Sequence, residues 1–120
     1  MPRFVVLEHR QQGVHWDFML ETAGALRTWR LAAAPAIDAT IRATPLADHR
    51  LIYLEYEGEI SGGRGSVTQW DAGEFDWEPS GPSEVAVRLA GRIISGRAYL
   101  REVESGDWEF MLTLPESASS

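Results

Sequence analysis

Hydrophobic and polar positions along the chain alternate with a period of two far more often than with the period of about 3.6 that marks a helix. Turn signals interrupt them at regular spacing: Gln12-Gly13, Ala23-Gly24, Gly62-Gly63, Ala72-Gly73, Gly81-Pro82, Ala90-Gly91 and Ser105-Gly106. This pattern predicts an all-β, mainly antiparallel fold, a small barrel or sandwich. Strands are expected near residues 3–9, 14–21, 26–31, 51–57, 65–70, 85–90, 93–101 and 107–114. Residues 32–50 read as a long connection with one or two short helical turns, one of them around Asp38–Arg42. Ala32-Ala33-Ala34-Pro35 carries no helix past Ala34, because proline disfavours helical geometry in the residue before it.

The first hairpin carries two of the chain's three histidines. Gln11-Gln12-Gly13 reads as a three-residue loop, a type I turn closed by a left-handed residue, with glycine at the favoured third position. Arg10 then pairs with Val14 and His9 opposes His15, their β-carbons about 4.5–5.5 Å apart on one face. Asp17 projects from that face about 6.5–7 Å further along the strand. Val14, Trp16, Phe18 and Leu20 form the opposite, core-directed face. Two imidazoles and a carboxylate with open positions suit a divalent ion such as Mn²⁺, Zn²⁺ or Fe²⁺, able to polarise a phosphoryl oxygen or acidify bound water. Taken by itself, the spacing is a weak metal pattern and favours polar residues on a wet strand face.

The third histidine sits in Asp48-His49-Arg50-Leu51-Ile52-Tyr53. His49 has the chemistry of a phosphate ligand or general acid, and Tyr53 that of a donor to a phosphate oxygen. A capping Asp48 and a half-buried strand tyrosine account for the segment without any chemistry. Arg10, Arg42, Arg50 and Arg64 fall in loops that can surround the same groove, with Arg42, Arg50 and Arg64 as candidate phosphate contacts. Trp16, Phe18, Trp29 and Trp70 read as core and Trp77 as an exposed aromatic.

Composition narrows these readings. The 120 residues suit one domain, expected over 1–114, with a frayed polar tail from Pro115 to Ser120. All eleven basic residues are arginine and there is no cysteine, which excludes lysine-based Schiff-base or nucleotidyl-lysine chemistry, thiolate ligands and disulfides. A net charge of −7 argues against a general nucleic-acid coat, whose affinity comes from cations on phosphates, and leaves room for a local arginine patch. No apolar run approaches the roughly 18 residues of a membrane span, and Met1-Pro2-Arg3 leading directly into a strand is not a signal peptide. A cytoplasmic protein without membrane contact is expected.

Together the segments resemble the phosphoesterase domain of bacterial DNA ligase D, an end-joining repair enzyme, and its stand-alone relatives. The resemblance rests on Phe4-Val5-Val6, His9, His15, Asp17, Phe18, Leu20-Glu21, Gly24, Leu26 and Trp29. It continues through Asp48-His49, Leu51, Tyr53, Glu57-Gly58, Ile60, Gly63, Trp70-Asp71 and Gly73, and ends on Leu89, Gly91, Gly96, Leu100 and Trp108. It implies a compact eight-stranded β-barrel with a site on its outer surface. The implied activity is Mn²⁺-dependent removal of a 3′-terminal ribonucleoside and then the 3′-phosphate from DNA ends. By position, His9, His15 and Asp17 match the family's metal ligands, and His49 and Tyr53 its phosphate-side residues.

The chain departs from the family at several contacts. Met19 stands where the family has an arginine, Ala33 where it has a lysine and Leu7 where it has a glutamine; Glu8 replaces a lysine, and Ile41 falls where an arginine is expected, with Arg42 one step out of register. The implied partners are DNA 3′ ends, bound weakly, or a small phosphoester, and end-joining ligase or polymerase proteins. A non-catalytic barrel that binds metal or phosphate as a module of a repair complex is the alternative.

Overall fold

The structure, a computed structural model, describes residues 1–114; the tail expected to fray lies outside the described residues. Its strands are β1 (Arg3–Arg10), β2 (Val14–Thr22), β3 (Ala25–Leu31), β4 (Thr40–His49), β5 (Gly58–Glu59), β6 (Ser66–Trp77), β7 (Glu84–Gly91), β8 (Ser95–Glu104) and β9 (Asp107–Thr113). Antiparallel pairing runs β1-β2-β3-β4-β9-β8-β7-β6, and β6 pairs back onto β1. Eight strands thus close into a barrel, with the two-residue β5 added beside the start of β6.

Period-two alternation decides what the barrel encloses. Phe4 and Val6 of β1, Phe18 and Leu20 of β2, Trp29 and Leu31 of β3 and Phe110 of β9 meet inside with Val87, Leu89 and Leu100. Phe18 makes an edge-on contact with Phe110 at 5.2 Å between ring centroids, the geometry aromatic pairs favour. Trp16 and Trp70 pack against this cluster, and Trp77 is exposed, as the sequence predicts.

β1 is buried on both faces. Val5 and Leu7 point away from the barrel interior and join Met19, Leu26, Leu54 and Val67 in a second, smaller core. The uninterrupted run Phe4-Val5-Val6-Leu7 is what such a strand requires. Leu54 closes this outer core from a single 3₁₀ turn, Leu51–Leu54.

Two details differ from the sequence expectation. Residues 40–49, read as connection, form β4, whose Ile41 and Ala43 enter the main core; the helical turn lies instead at Leu51–Leu54, where a strand was expected. Pro45 does not break β4, because β9 pairs only with Thr40–Ala43. Beyond Ala43 that edge is free, the position in which a strand tolerates a residue without an N–H. The other strands form near their expected places, with β6 running on to Trp77 so that it borders β1 along one part and β7 along another. Among the described residues no helix is long and apolar enough to cross a membrane.

Candidate active site

The first hairpin forms in the expected register: Arg10 opposes Val14, His9 opposes His15 and Leu7 opposes Asp17. The turn departs from the expected type I form, because Gln12 already takes the left-handed conformation at φ 53° and Gly13 follows at φ 125°. The face carrying His9 and Asp17 does not open to solvent. It lies beneath the segment that leads from the 3₁₀ turn to β6, leaving His9 6% and Asp17 3% exposed.

Between hairpin and segment lies a groove of about 490 Å³. Leu7, Met19, Ile60 and Val67 give it an apolar floor, and His9, Asp17, His49 and Tyr53 line it together. Three arginines, Arg30, Arg50 and Arg64, face two carboxylates, Asp17 and Asp48, so this groove of an acidic protein is locally cationic. Met19 and Leu7 are here part of the second core.

His49 ends β4 and gives its Nδ1–H to the Ala47 carbonyl at 2.9 Å, which leaves Nε2 as the ring nitrogen without a hydrogen-bond partner among the described residues. Tyr53, in the 3₁₀ turn, stands edge-on to the His49 ring with centroids 5.6 Å apart. Arg50, extended at φ −75° and ψ 150°, links the two elements. Arg64 comes from the Gly-rich loop. Its guanidinium bonds Ser61 O at 2.8 Å, and its carbonyl accepts His9 Nε2–H at 2.7 Å. Gly65 makes that approach possible, since at φ +84° its added β-carbon would lie 2.0 Å from the Arg10 carbonyl oxygen.

Two expected site residues stand apart. His15 opposes His9 with ring centroids 6.3 Å apart but does not line the groove, and its Nδ1 is buried without a hydrogen-bond partner. Arg42 pairs with Glu109 across the β4–β9 edge, keeps a 73% exposed side chain, and makes its ion pair with Asp107 at 3.5 Å. It lies outside the groove lining because only the far end of β4 reaches the groove.

Arg30 is the site residue that spacing alone does not single out. Its Nε donates to Asp17 Oδ1 at 3.1 Å and its Nη2 contacts Asp17 Oδ2 at 3.4 Å and His9 Nδ1 at 3.1 Å. Guanidinium has donors only, so His9 Nδ1 accepts, and the proton on His9 lies at Nε2 facing the Arg64 carbonyl. The signal for this contact is the turn Ala23-Gly24. A two-residue loop there, both residues at positive φ (51° and 83°), puts Thr22 opposite Ala25 and hence Asp17 opposite Arg30.

This geometry also tests the expected metal. Both nitrogens of His9 and both oxygens of Asp17 are engaged by the protein itself, and only His15 offers an unused ring nitrogen. Among the described residues no three His, Asp or Glu side chains are grouped to hold an ion. As arranged, His9, His15 and Asp17 do not fit a divalent cation.

Comparison with known proteins places the barrel. Residues 7–113 match the family described as the DNA Ligase D 3′-phosphoesterase domain. The chain belongs to that family. It is 34% identical over 110 residues to the multifunctional non-homologous end joining protein LigD of Pseudomonas aeruginosa, an alignment covering 82% of this chain and 13% of that protein. The Mycobacterium tuberculosis multifunctional non-homologous end joining DNA repair protein LigD is 34% identical over 114 residues, covering 88% of this chain and 15% of the relative. A Mycolicibacterium smegmatis LigD protein is 28% identical over 122 residues, with 88% and 16% covered. The chain therefore spans well under a fifth of the length of these relatives. Membership in the DNA ligase D phosphoesterase family fits a groove in which two histidines, an aspartate, a tyrosine and three arginines converge.

Proposed function

We propose that this barrel is a phosphoesterase of end-joining repair that clears 3′-terminal ribonucleoside and 3′-phosphate groups from DNA, leaving a 3′-hydroxyl. The observation that carries the reading is the convergence of His49 and Tyr53 with His9 and Asp17 on one arginine-lined groove. In this reading Arg50 and Arg64 hold the terminal phosphate, and Tyr53 O–H donates to one of its oxygens. Removal of the ribonucleoside adds the oxygen of water to phosphorus and breaks the bond to the ribonucleoside's 5′ oxygen; removal of the remaining phosphate adds a second water oxygen and breaks the bond to the 3′ oxygen, and in each step the departing oxygen takes up a proton. His49, with Nε2 free, delivers that proton in its imidazolium form. Asp17 and His9, held by Arg30, shape the groove wall beside the phosphate. Manganese, or zinc or iron, enters this reading only as an ion held by His9, His15 and Asp17 after Arg30 has left them. DNA 3′ ends, end-joining ligase or polymerase proteins and a cytoplasmic location belong to the same proposal.

One observation favours a second reading, a phosphate-binding barrel without turnover that serves as a module in a repair complex: Arg30 occupies both Asp17 and His9. A primer–template ending in a 3′-phosphate or a ribonucleotide, incubated with the protein with and without Mn²⁺ and resolved on a denaturing gel, separates the two. Conversion to a 3′-hydroxyl end, lost in His49→Ala, is the expected result. Retention of the DNA end without conversion overturns catalysis in favour of the binding module; activity on a generic aryl phosphate without DNA binding points to a small-phosphoester hydrolase.

A further inference from the structure

The side chain that bridges His9 and Asp17 is itself a cation. Arg30 reaches across from β3, the strand paired with β2, and its guanidinium lies within 3.1 Å of both Asp17 Oδ1 and His9 Nδ1. A divalent ion bound to the same atoms needs the same lone pairs: a carboxylate oxygen and an unprotonated imidazole nitrogen. His9 leaves no second route, because its Nε2–H is turned to the Arg64 carbonyl at 2.7 Å. The Asp17 carboxylate, 4% exposed, is contacted by Arg30 at both oxygens, Oδ1 at 3.1 Å and Oδ2 at 3.4 Å.

From this geometry we infer that Arg30 and a divalent cation exclude one another at His9 and Asp17, so that Arg30 acts as a built-in competitor of metal in this groove. The inference rests on the proposed reading only in taking His9 and Asp17 as that site's ion-binding side. Arg30 is anchored in register opposite Asp17 and is 30% exposed along its side chain, so withdrawal of its guanidinium into the groove mouth requires no change of strand pairing. Metal affinity in the native chain is then set by the free energy of breaking the Arg30 contacts. Neutralising position 30 removes that competition.

The test is Mn²⁺ affinity, measured by calorimetry and by electron paramagnetic resonance of the free ion, for the wild type, Arg30→Gln and Arg30→Gln/Asp17→Asn. Arg30→Gln is expected to bind Mn²⁺ about tenfold more tightly or better, the factor that corresponds to one charge-assisted hydrogen bond. The gain should disappear in the double variant. Equal affinity of wild type and Arg30→Gln, no binding by either, or a gain that survives Asp17→Asn overturns the inference. Should Arg30→Gln not fold, Zn²⁺ titration of the wild type followed through the Arg30 Nε–H resonance decides instead. Saturable Zn²⁺ binding that shifts the signal supports exclusion; saturable binding that leaves it unmoved overturns it. The readout is affinity rather than turnover, so failure of the end-processing reading leaves it interpretable, and its own failure leaves that reading standing.

Discussion

Asp17 and Arg30 face each other across the β2–β3 ladder, and the guanidinium Nε stands 3.1 Å from Oδ1 of a carboxylate that is almost wholly buried. Breaking a buried pair from one side leaves an uncompensated charge, at about 3–5 kcal/mol when both partners are enclosed. Arg30 is 30% exposed, so Arg30→Ala is expected to cost about 1–3 kcal/mol. Adding Asp17→Asn should recover part of that loss. Urea unfolding of the two singles and the double measures the coupling, and strictly additive effects would falsify the pairing.

How much of this was legible in the sequence depends on the element. The β1–β2 hairpin follows from its loop and its alternation, and with it the His9–His15 opposition. The same counting through Ala23-Gly24 yields Asp17–Arg30, because a two-residue loop fixes every pair behind it. β4 is masked by Pro35 and Pro45, whose local signals say connection; what overrides them is pairing with β3 and β9, a tertiary fact. Leu51–Leu54 is apolar enough to suggest a strand, yet the barrel is already closed, and the outer surface made by Val5, Leu7 and Met19 needs a plug. The groove between plug and hairpin, which gathers His49 and Tyr53 near Asp17, therefore has no signature in local spacing. Arg42 misleads for the same reason: it sits at the end of β4 that borders β9.

The plug gives a second prediction. Leu54 is 6% exposed within the outer core, and Leu54→Ala should cost about 2–4 kcal/mol by lost burial and a residual cavity. Because Tyr53 precedes it in the same 3₁₀ turn, the variant should also weaken binding of 3′-phosphorylated DNA. Urea unfolding together with a fluorescence-anisotropy titration reads both effects; a large loss of stability with unaltered affinity would detach the plug from the groove.

Gly65 carries the loop that offers Arg64 O to His9. Gly65→Ala places a β-carbon 2.0 Å from the Arg10 carbonyl oxygen at φ +84°, so backbone must move. A loss of at least about 1 kcal/mol is expected from the positive φ alone. The His9 Nε2–H bond should lengthen or break, which nitrogen-15 imidazole shifts report directly. Unchanged His9 signals in a destabilised variant would mean that the loop relaxes without shifting Arg64.

The arginines separate by place. Arg50→Ala should weaken binding of a 3′-phosphorylated end about tenfold, the loss of one charge-assisted contact, whereas Arg42→Ala, with its partner Asp107 outside the groove, should leave affinity unaltered. Anisotropy titrations at one fixed salt concentration make the comparison, since phosphate contacts are salt-dependent. Equal losses in both variants would move the phosphate site toward the β4–β9 edge.

A last prediction concerns the wall of β7 and β8, away from the groove. Glu78 accepts from Arg97 Nε at 2.5 Å and from Arg88 Nη2 at 2.9 Å. The Arg97 hydrogen bond, foremost, holds its carboxyl below the usual carboxylate range; desolvation works in the opposite direction, and the Arg88 bond and both positive charges add to the lowering. A folded pKa below the unfolded one means that the contribution to stability is fully present above the unfolded value and is lost as pH falls through the folded value. Glu78→Gln should therefore unfold at lower urea than wild type near neutral pH, and the two midpoints should converge in acid below the ordinary carboxylate range. High salt should narrow the neutral-pH gap, because these are surface ion pairs. A gap that persists unaltered from neutral pH into strong acid would assign the effect to packing of the Glu78 stem rather than to its charge.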